Sequence, residues 1–319
     1  MLLQVIVSRF KPVLALTFCL VLAGFANSSQ AQSSAKQSDV QNTSSAQKKK
    51  AAKANQKTTP KVKATAPVTS NSLRSHVVYV QDLSSNNVLL SRNDDAVRPI
   101  ASITKLMTAI IVVDAKQSMG DVIEVTQDDV DKVKHSRSRL PVGAKLTRGD
   151  MLHLALMSSE NRAASALARY YPGGTAAFVT AMNAKAQQLG MNQSRFVEPT
   201  GLSSANVSTP RDLVKLMQAA MIRPTIQAFT TDDQQEVRTT SKTTTIFRNT
   251  NALVAKADWD IKVSKTGFIN EAGQCLVMVA RINNRDTAIV LLDAEGKGTR
   301  VGDAIRIKQL VQRQELASL

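Results

Sequence analysis

Aromatic residues make up only 4% of the 319-residue chain, and there is a single tryptophan, so a core must be built from Leu, Val, Ile, Ala and Met. Cysteine is nearly absent. Cys19 falls in an apolar run near the start, which leaves Cys275 alone in the remainder. One thiol cannot close an internal disulfide, so there is no disulfide framework. Cys275 lies in a strand-like apolar run and reads as a small buried hydrophobe. The three histidines, His76, His135 and His153, are far apart. No two have ligand spacing, so neither a metal site nor a cofactor is expected. No Gly-x-Ser-x-Gly elbow accompanies them, which sets aside a Ser-His-Asp mechanism. Long hydrophobic runs are missing too: the stretch from Pro12 to Phe25 is shorter than the ~20 residues of a membrane-spanning helix. Acidic side chains number 25 against 41 basic ones, a formal charge of +16.

That charge is unevenly placed. Arg9 and Lys11 precede the apolar run, and Ser29-Gln30-Ala31 offers small residues for cleavage, so residues 1–31 read as an export signal. An uncleaved N-terminal anchor is the rival reading. Residues 32–75 hold nine cationic side chains against Asp39 and almost no large apolar ones. Such a segment cannot bury enough surface to order itself, so a disordered basic linker is expected. A lysine cluster of this kind invites a nucleic-acid partner, but export argues against one. A spacer, or a tether with loose attraction to membrane or anionic wall polymers, fits better.

The folded part is expected over residues 76–319. His76 to Leu83 and Val88 to Ser91 read as a hairpin around a Ser-Ser-Asn-Asn turn. A short strand is expected over Asp121 to Val125, and a polar, basic surface stretch over 128–139. Helices follow across about 147–222, broken at Ser158 to Asn161 and at Gly173-Gly174. Strand-like segments come next: Glu236 to Ile246, Val263 to Gly267, Cys275 to Ile282 and Thr287 to Leu292. An amphipathic helix from Val301 to Leu316 ends the pattern, with Ile305, Leu310 and Val311 among its apolar positions. The fold class is α+β: closing strands pair with the opening hairpin in one antiparallel sheet, flanked by helices, with the helical block inserted beside it.

Chemistry concentrates in three short motifs. Ser102-Ile103-Thr104-Lys105 opens a helix just after Pro99. Residues i and i+3 share a helix face, so the hydroxyl and the ammonium can meet. A serine needs a base before it can attack, and a desolvated lysine can be that base. Ser159-Glu160-Asn161 interrupts two helices and so sits on a loop. Lys265-Thr266-Gly267 lies on a strand, where the glycine lets another backbone or a ligand approach closely. Each motif alone is common; in this order, on a helix, a loop and a strand, they are specific.

With these motifs the chain resembles the penicilloyl serine transferases. Ala101 to Ala109, Met157 to Ala164, Glu198-Pro199-Thr200-Gly201-Leu202 and Asn249 to Val254 are similar to segments of the D-alanyl-D-alanine peptidases, in particular the small periplasmic endopeptidases. The resemblance covers nearly all of 76–319. It implies a β-lactamase/transpeptidase-like fold and a periplasmic enzyme that attacks D-alanyl bonds of peptidoglycan. It implies Ser102 as nucleophile, Lys105 as its base and Ser159 as proton relay. Asn161, Lys265, Thr266 and Gly267 would bind substrate, and the backbone N–H groups of Ser102 and Phe268 would form the oxyanion hole. β-Lactam antibiotics would be covalent inhibitors. Little chain follows Lys265-Thr266-Gly267, which favours endopeptidase over carboxypeptidase action. A serine β-lactamase is disfavoured because no Glu-x-x-Leu-Asn segment is visible, and intact motifs argue against a non-enzymatic wall-binding protein.

Overall fold

The computed structural model describes residues 69–296 and 298–316. The export signal, and all of the expected linker before residue 69, lie outside the described residues. The chain opens with strand β1 (Ser75–Asp82), β2 (Val88–Arg92) and the two-residue β3 (Arg98–Pro99). A 3₁₀ turn, Ala101–Ile103, leads into helix α1 (Thr104–Asp114). β4 (Val122–Glu124) pairs with β5 (Lys145–Thr147). Helices α2 (Arg148–Met157), α3 (Asn161–Arg169) and α4 (Gly174–Gln188) follow, then β6 (Val207–Ser208), α5 (Pro210–Met221) and α6 (Pro224–Thr231). β7 (Gln234–Arg238) and β8 (Thr244–Arg248) form a hairpin of their own. β9 (Asp260–Ile269), β10 (Gly273–Ile282), β11 (Arg285–Ala294) and α7 (Thr299–Leu316) complete the fold.

The main sheet has the order β2-β1-β11-β10-β9, with each adjacent pair antiparallel. Side chains alternate between the faces of a strand, and here the alternation serves two cores. Val77, Tyr79, Val277, Val279, Val290 and Leu292 face the helices, with Ile103 of the 3₁₀ turn and Leu106, Met107 and Ile110 of α1 in the same core. Val78, Val80, Leu276, Met278, Ile289 and Leu291 face the other way, onto Ala304, Ile307 and Val311 of α7. The central strands are therefore apolar on both sides, and the fold is three layers deep. Among the described residues, no helix is long and apolar enough to cross a membrane.

Four expectations need correction. The ordered chain begins before residue 76: Leu73 is buried in the α7-side core. Asp303, fully buried, accepts from the Ser75 N–H at 2.8 Å and the Ser75 hydroxyl at 2.7 Å. Polar composition hid this segment, because one leucine and one buried carboxylate suffice to dock it. The helical block runs past 222, because Pro224 starts α6 rather than ending a helix, its missing N–H being harmless in the first turn. The single strand expected over 236–246 is a hairpin that reverses at 239–243, where the Thr239 N–H bonds the Thr243 carbonyl at 2.9 Å. Finally, α7 docks through Ala304, Ile307 and Val311, while Ile305 is 41% exposed. Cys275 is fully buried as expected, and burial pushes its thiol up to about 11.

The docking face of α7 is testable by urea unfolding. Ile307→Ala removes core atoms and is expected to cost about 2–5 kcal/mol. Ile305→Ala is expected to stay within about 0.5 kcal/mol. Equal losses would show that α7 packs through a different face.

Candidate active site

The turn that carries Ser102 is held from both sides by glycines. Ala101 has a φ of +47°, a left-handed conformation in which a residue with a Cβ is strained. Gly267 of β9 lies so close that a Cβ there would stand 2.9 Å from the Ile100 carbonyl oxygen and 3.2 Å from the Ser102 nitrogen. Gly201 (φ +85°) lies closer still, since its Cβ would fall 1.9 Å from the Ala101 carbonyl oxygen. The strained turn is thus wedged between β9 and the loop of residues 198–206.

Lys105, one turn along, is completely buried. Its three protons have three acceptors: Ser102 Oγ at 2.9 Å, Asn161 Oδ1 at 2.7 Å and the Thr200 carbonyl at 2.6 Å. Burial pulls its pKa down from 10.5 to about 8, against the opposing pull of the Glu198 and Glu160 carboxylates. Asn161 starts α3, and its Nδ2 donates to Ser136 Oγ at 2.9 Å. Glu160, just before it, is buried and accepts from the Ser138 hydroxyl at 2.6 Å.

A second lysine faces the first. Lys265 on β9 is 1% exposed and donates to Ser159 Oγ at 2.9 Å and to the Thr266 carbonyl at 3.0 Å. Burial, then the charges of Lys105 and Arg300, hold its pKa well below the usual lysine value. Ser159 itself has a φ of +63°. Thr266 Oγ1 donates to Thr250 Oγ1 at 2.6 Å, and the Thr250 N–H bonds the Met157 carbonyl at 3.1 Å, which ties the end of α2 to β9. Phe268 follows Gly267 on β9, opposite Gln274, and is 54% exposed.

The structure therefore brings Ser102, Lys105 and Asn161 into one hydrogen-bonded group and Ser159 with Lys265 into another, with Gly267 against the nucleophile turn. Several contributors carry no motif. Arg300 at the start of α7 donates to the Gly267 carbonyl at 2.7 Å and the Cys275 carbonyl at 3.1 Å. The stretch read as plain surface supplies Ser136 and Ser138, and Lys134 pairs with Glu271 of the β9–β10 turn. A cavity of about 310 Å³ opens beside Asn161 and Thr200, between residues 128–133 and 198–203. Ser158 is structural, as expected: its hydroxyl bonds the Leu154 carbonyl at 2.9 Å, one turn back. His153 stacks on Phe229 with ring centroids 4.4 Å apart and sits 3.2 Å from Asp232. Among the described residues no histidine bonds Ser102.

The fold is that of the DD-transpeptidases. The Streptomyces K15 DD-transpeptidase matches with a TM-score of 0.69 at 27% identity, over 75% of this chain and 97% of that one. Penicillin-binding protein D2 from Listeria monocytogenes, in its cefotaxime-bound form, matches over the same shares with a TM-score of 0.66 at 26% identity. The chain belongs to the D-alanyl-D-alanine carboxypeptidase family, whose profile matches residues 61–296. It is 49% identical over 234 residues to a D-alanyl-D-alanine endopeptidase of Escherichia coli K12, covering 73% of this chain and 76% of the relative.

The glycine wedge separates backbone strain from steric contact. Gly143 (φ +87°) and Gly201 (φ +85°) share nearly the same positive φ, but a Cβ on Gly143 meets nothing within 4 Å. Gly143→Ala is expected to cost about 1–2 kcal/mol, the left-handed penalty alone. Gly201→Ala must also displace the Ala101 carbonyl, which adds roughly 1–3 kcal/mol. Comparable urea midpoints for the two variants would show that loop 198–206 does not press on the nucleophile turn.

Proposed function

We propose that the chain is a serine D,D-peptidase that cuts D-alanyl crosslinks in peptidoglycan through an acyl-enzyme on Ser102. The observation that carries the reading is the 2.9 Å hydrogen bond between Ser102 Oγ and a fully buried lysine whose pKa is near 8. Lys105 in its neutral form takes the Ser102 proton as Oγ attacks the carbonyl of a D-alanyl bond. Ser159, bonded to Lys265, relays a proton to the leaving amine. Asn161 binds substrate backbone, Lys265 supplies positive potential, and Thr266 takes the terminal carboxylate or backbone. The N–H groups of Ser102 and Phe268 receive the oxyanion; a donor of this kind contributes about 10²–10³ in rate, because charge builds on that oxygen in the transition state. Gly267 permits the approach of β9 that puts these two donors on one side of the carbonyl.

Endopeptidase action is favoured by the name of the 49%-identical relative. Hydrolysis of β-lactams is disfavoured because no Glu-x-x-Leu-Asn segment is present and the carboxylate near Lys105, Glu198, is not free to hold a deacylating water. Its Oε1 accepts from Gly201 N–H at 2.6 Å and Asn206 Nδ2 at 2.7 Å, and its Oε2 from Thr200 N–H at 2.7 Å. Occupied by its own loop, it is not a free base. β-Lactams are therefore slow-leaving acylating inhibitors in this reading. The enzyme works outside the cytoplasm, and the basic stretch of 32–75 acts as a tether with loose attraction to membrane or anionic wall polymers.

Labelled penicillin is expected to acylate the protein, with the adduct on Ser102 by peptide mass spectrometry. Ser102→Ala and Lys105→Ala are expected to lose labelling to a similar extent, since residues acting as one unit fail together. A stable adduct on another residue, or normal labelling of Lys105→Ala, contradicts the assignment. The base must be unprotonated, so the labelling rate is expected to climb as pH rises through about 8. Given crosslinked muropeptide dimers and monomeric pentapeptides, the enzyme is expected to cleave dimers. Release of terminal D-alanine with dimers left intact would make it a carboxypeptidase.

A further inference from the structure

We propose that Glu198 is a positioning residue for Lys105: its carboxylate folds loop 198–206 so that the Thr200 carbonyl holds the lysine amine, and its charge helps decide when that amine gives up its proton. The proposal rests on the assignment of Ser102 and Lys105 made above.

The loop has little regular structure of its own. What shapes it is one side chain. Glu198 receives the N–H of Thr200 (2.7 Å), Gly201 (2.6 Å) and Ser203 (3.3 Å), the Thr200 hydroxyl (2.5 Å) and Nδ2 of Asn206 (2.7 Å). Bonds from N–H groups to a charged acceptor are about twice as strong as neutral ones, and here they arrive on a single carboxylate. With the N–H groups of Thr200 and Gly201 turned onto Glu198, the Thr200 carbonyl reaches Lys105 Nζ at 2.6 Å. Gly201 is set against Ala101 by the same turn.

The loop is also fastened to the nucleophile segment at both ends. Thr108 of α1 donates to the Pro199 carbonyl at 2.6 Å. Asn206 donates to Thr104 Oγ1 at 3.2 Å and accepts the Ile100 N–H on its carbonyl at 3.1 Å. A closed circuit results: Glu198 to Thr200, Thr200 to Lys105, Lys105 to Ser102, and from Ile100 and Thr104, each two residues from Ser102, back through Asn206 to Glu198. Substrate-binding motifs take no part in this circuit. Its geometric effect falls on the amine that must sit within proton-transfer reach of Ser102 Oγ.

Charge acts separately from position. The groups facing Lys105 are Glu198 from this loop, Glu160 from the start of α3 and Lys265 from β9, with Arg300 of α7 behind Lys265. The two carboxylates favour protonated Lys105, while burial opposes it; the charge of Lys105 in turn lowers the pKa of Lys265. Removing the Glu198 charge should free the amine of its proton at lower pH, and removing the carboxylate geometry should let the amine drift. These effects have opposite signs on the rate, and an inert structural brace produces only the second.

The test is the pH profile of Ser102 acylation by labelled penicillin in wild type, Glu198→Gln and Glu198→Asp, with melting curves to confirm folding. In Glu198→Gln the plateau rate is expected to fall about tenfold or more, a typical loss when a reacting group is misplaced. Its acidic limb is expected to move down by about half a pH unit or more, since a neighbouring charge has been lost. Glu198→Asp keeps the charge and loses the reach, so its plateau should fall while its limb stays with wild type. A folded Glu198→Gln whose limb does not move, or moves up, overturns the proposal. If Glu198→Gln does not fold, Glu198→Asp decides alone, and a wild-type plateau there overturns it. Wild-type protein that is not acylated on Ser102 would instead overturn the functional assignment, before any variant is read.

Discussion

Two lysine side chains, Lys105 and Lys265, are taken almost entirely out of water where the helical block meets β9. An ammonium group resists this, because burial in low dielectric penalises the charged form. For Lys105 the fall from 10.5 to about 8 corresponds to about 3 kcal/mol of destabilised charge. Its folded pKa lies below its unfolded one, so the unfolded chain holds more protons between those two values. The penalty is therefore fully present below pH 8 and is relieved as pH rises towards 10.5. The surrounding fold is arranged to carry that cost. Three acceptors meet the Lys105 protons, and two carboxylates stand behind them.

The same constraint links architecture to chemistry. The sheet is buried on both faces, so β9 is a rigid wall against which the Ser102 turn is pressed through Gly267. The helical block supplies the opposite wall through Ser159 and Asn161, with Thr250 bolting α2 to β9. Loop 198–206 closes the third side. A serine and a lysine three residues apart need only a helical turn to meet. For the lysine to lose its proton near pH 8, these three walls must exclude water around it. Catalytic competence in this fold is thus a property of packing as much as of the reacting groups.

Much of this was legible in the chain. Ser102 with Lys105, Ser159 with Asn161, and Lys265 with Gly267 announce themselves because local spacing carries their meaning, and the β-branched, apolar runs Val77 to Val80 and Cys275 to Ile282 foretell a sheet. What stayed hidden was decided by partners distant in sequence. Glu198 looks like any loop glutamate until Thr200, Gly201 and Asn206 are seen to converge on it. Arg300 carries no pattern at all, and its role as donor to Gly267 depends on where α7 begins. The 234–248 hairpin escaped notice because its exposed, threonine-rich turn lacks the Gly, Asn or Asp that usually marks a reversal. Leu73 was lost among polar neighbours, although it is one of the residues that dock the start of the domain.

The architecture turns Lys105 into a base that is half-deprotonated near pH 8, well below the ordinary lysine value. The most direct measurement is an NMR pH titration of protein whose lysines carry ¹³C at Cε, with the Lys105 signal assigned through its loss in Lys105→Arg. This signal is expected to titrate near 8. A Lys105 signal that titrates with the exposed lysines, at the ordinary lysine value of about 10.4, would contradict it.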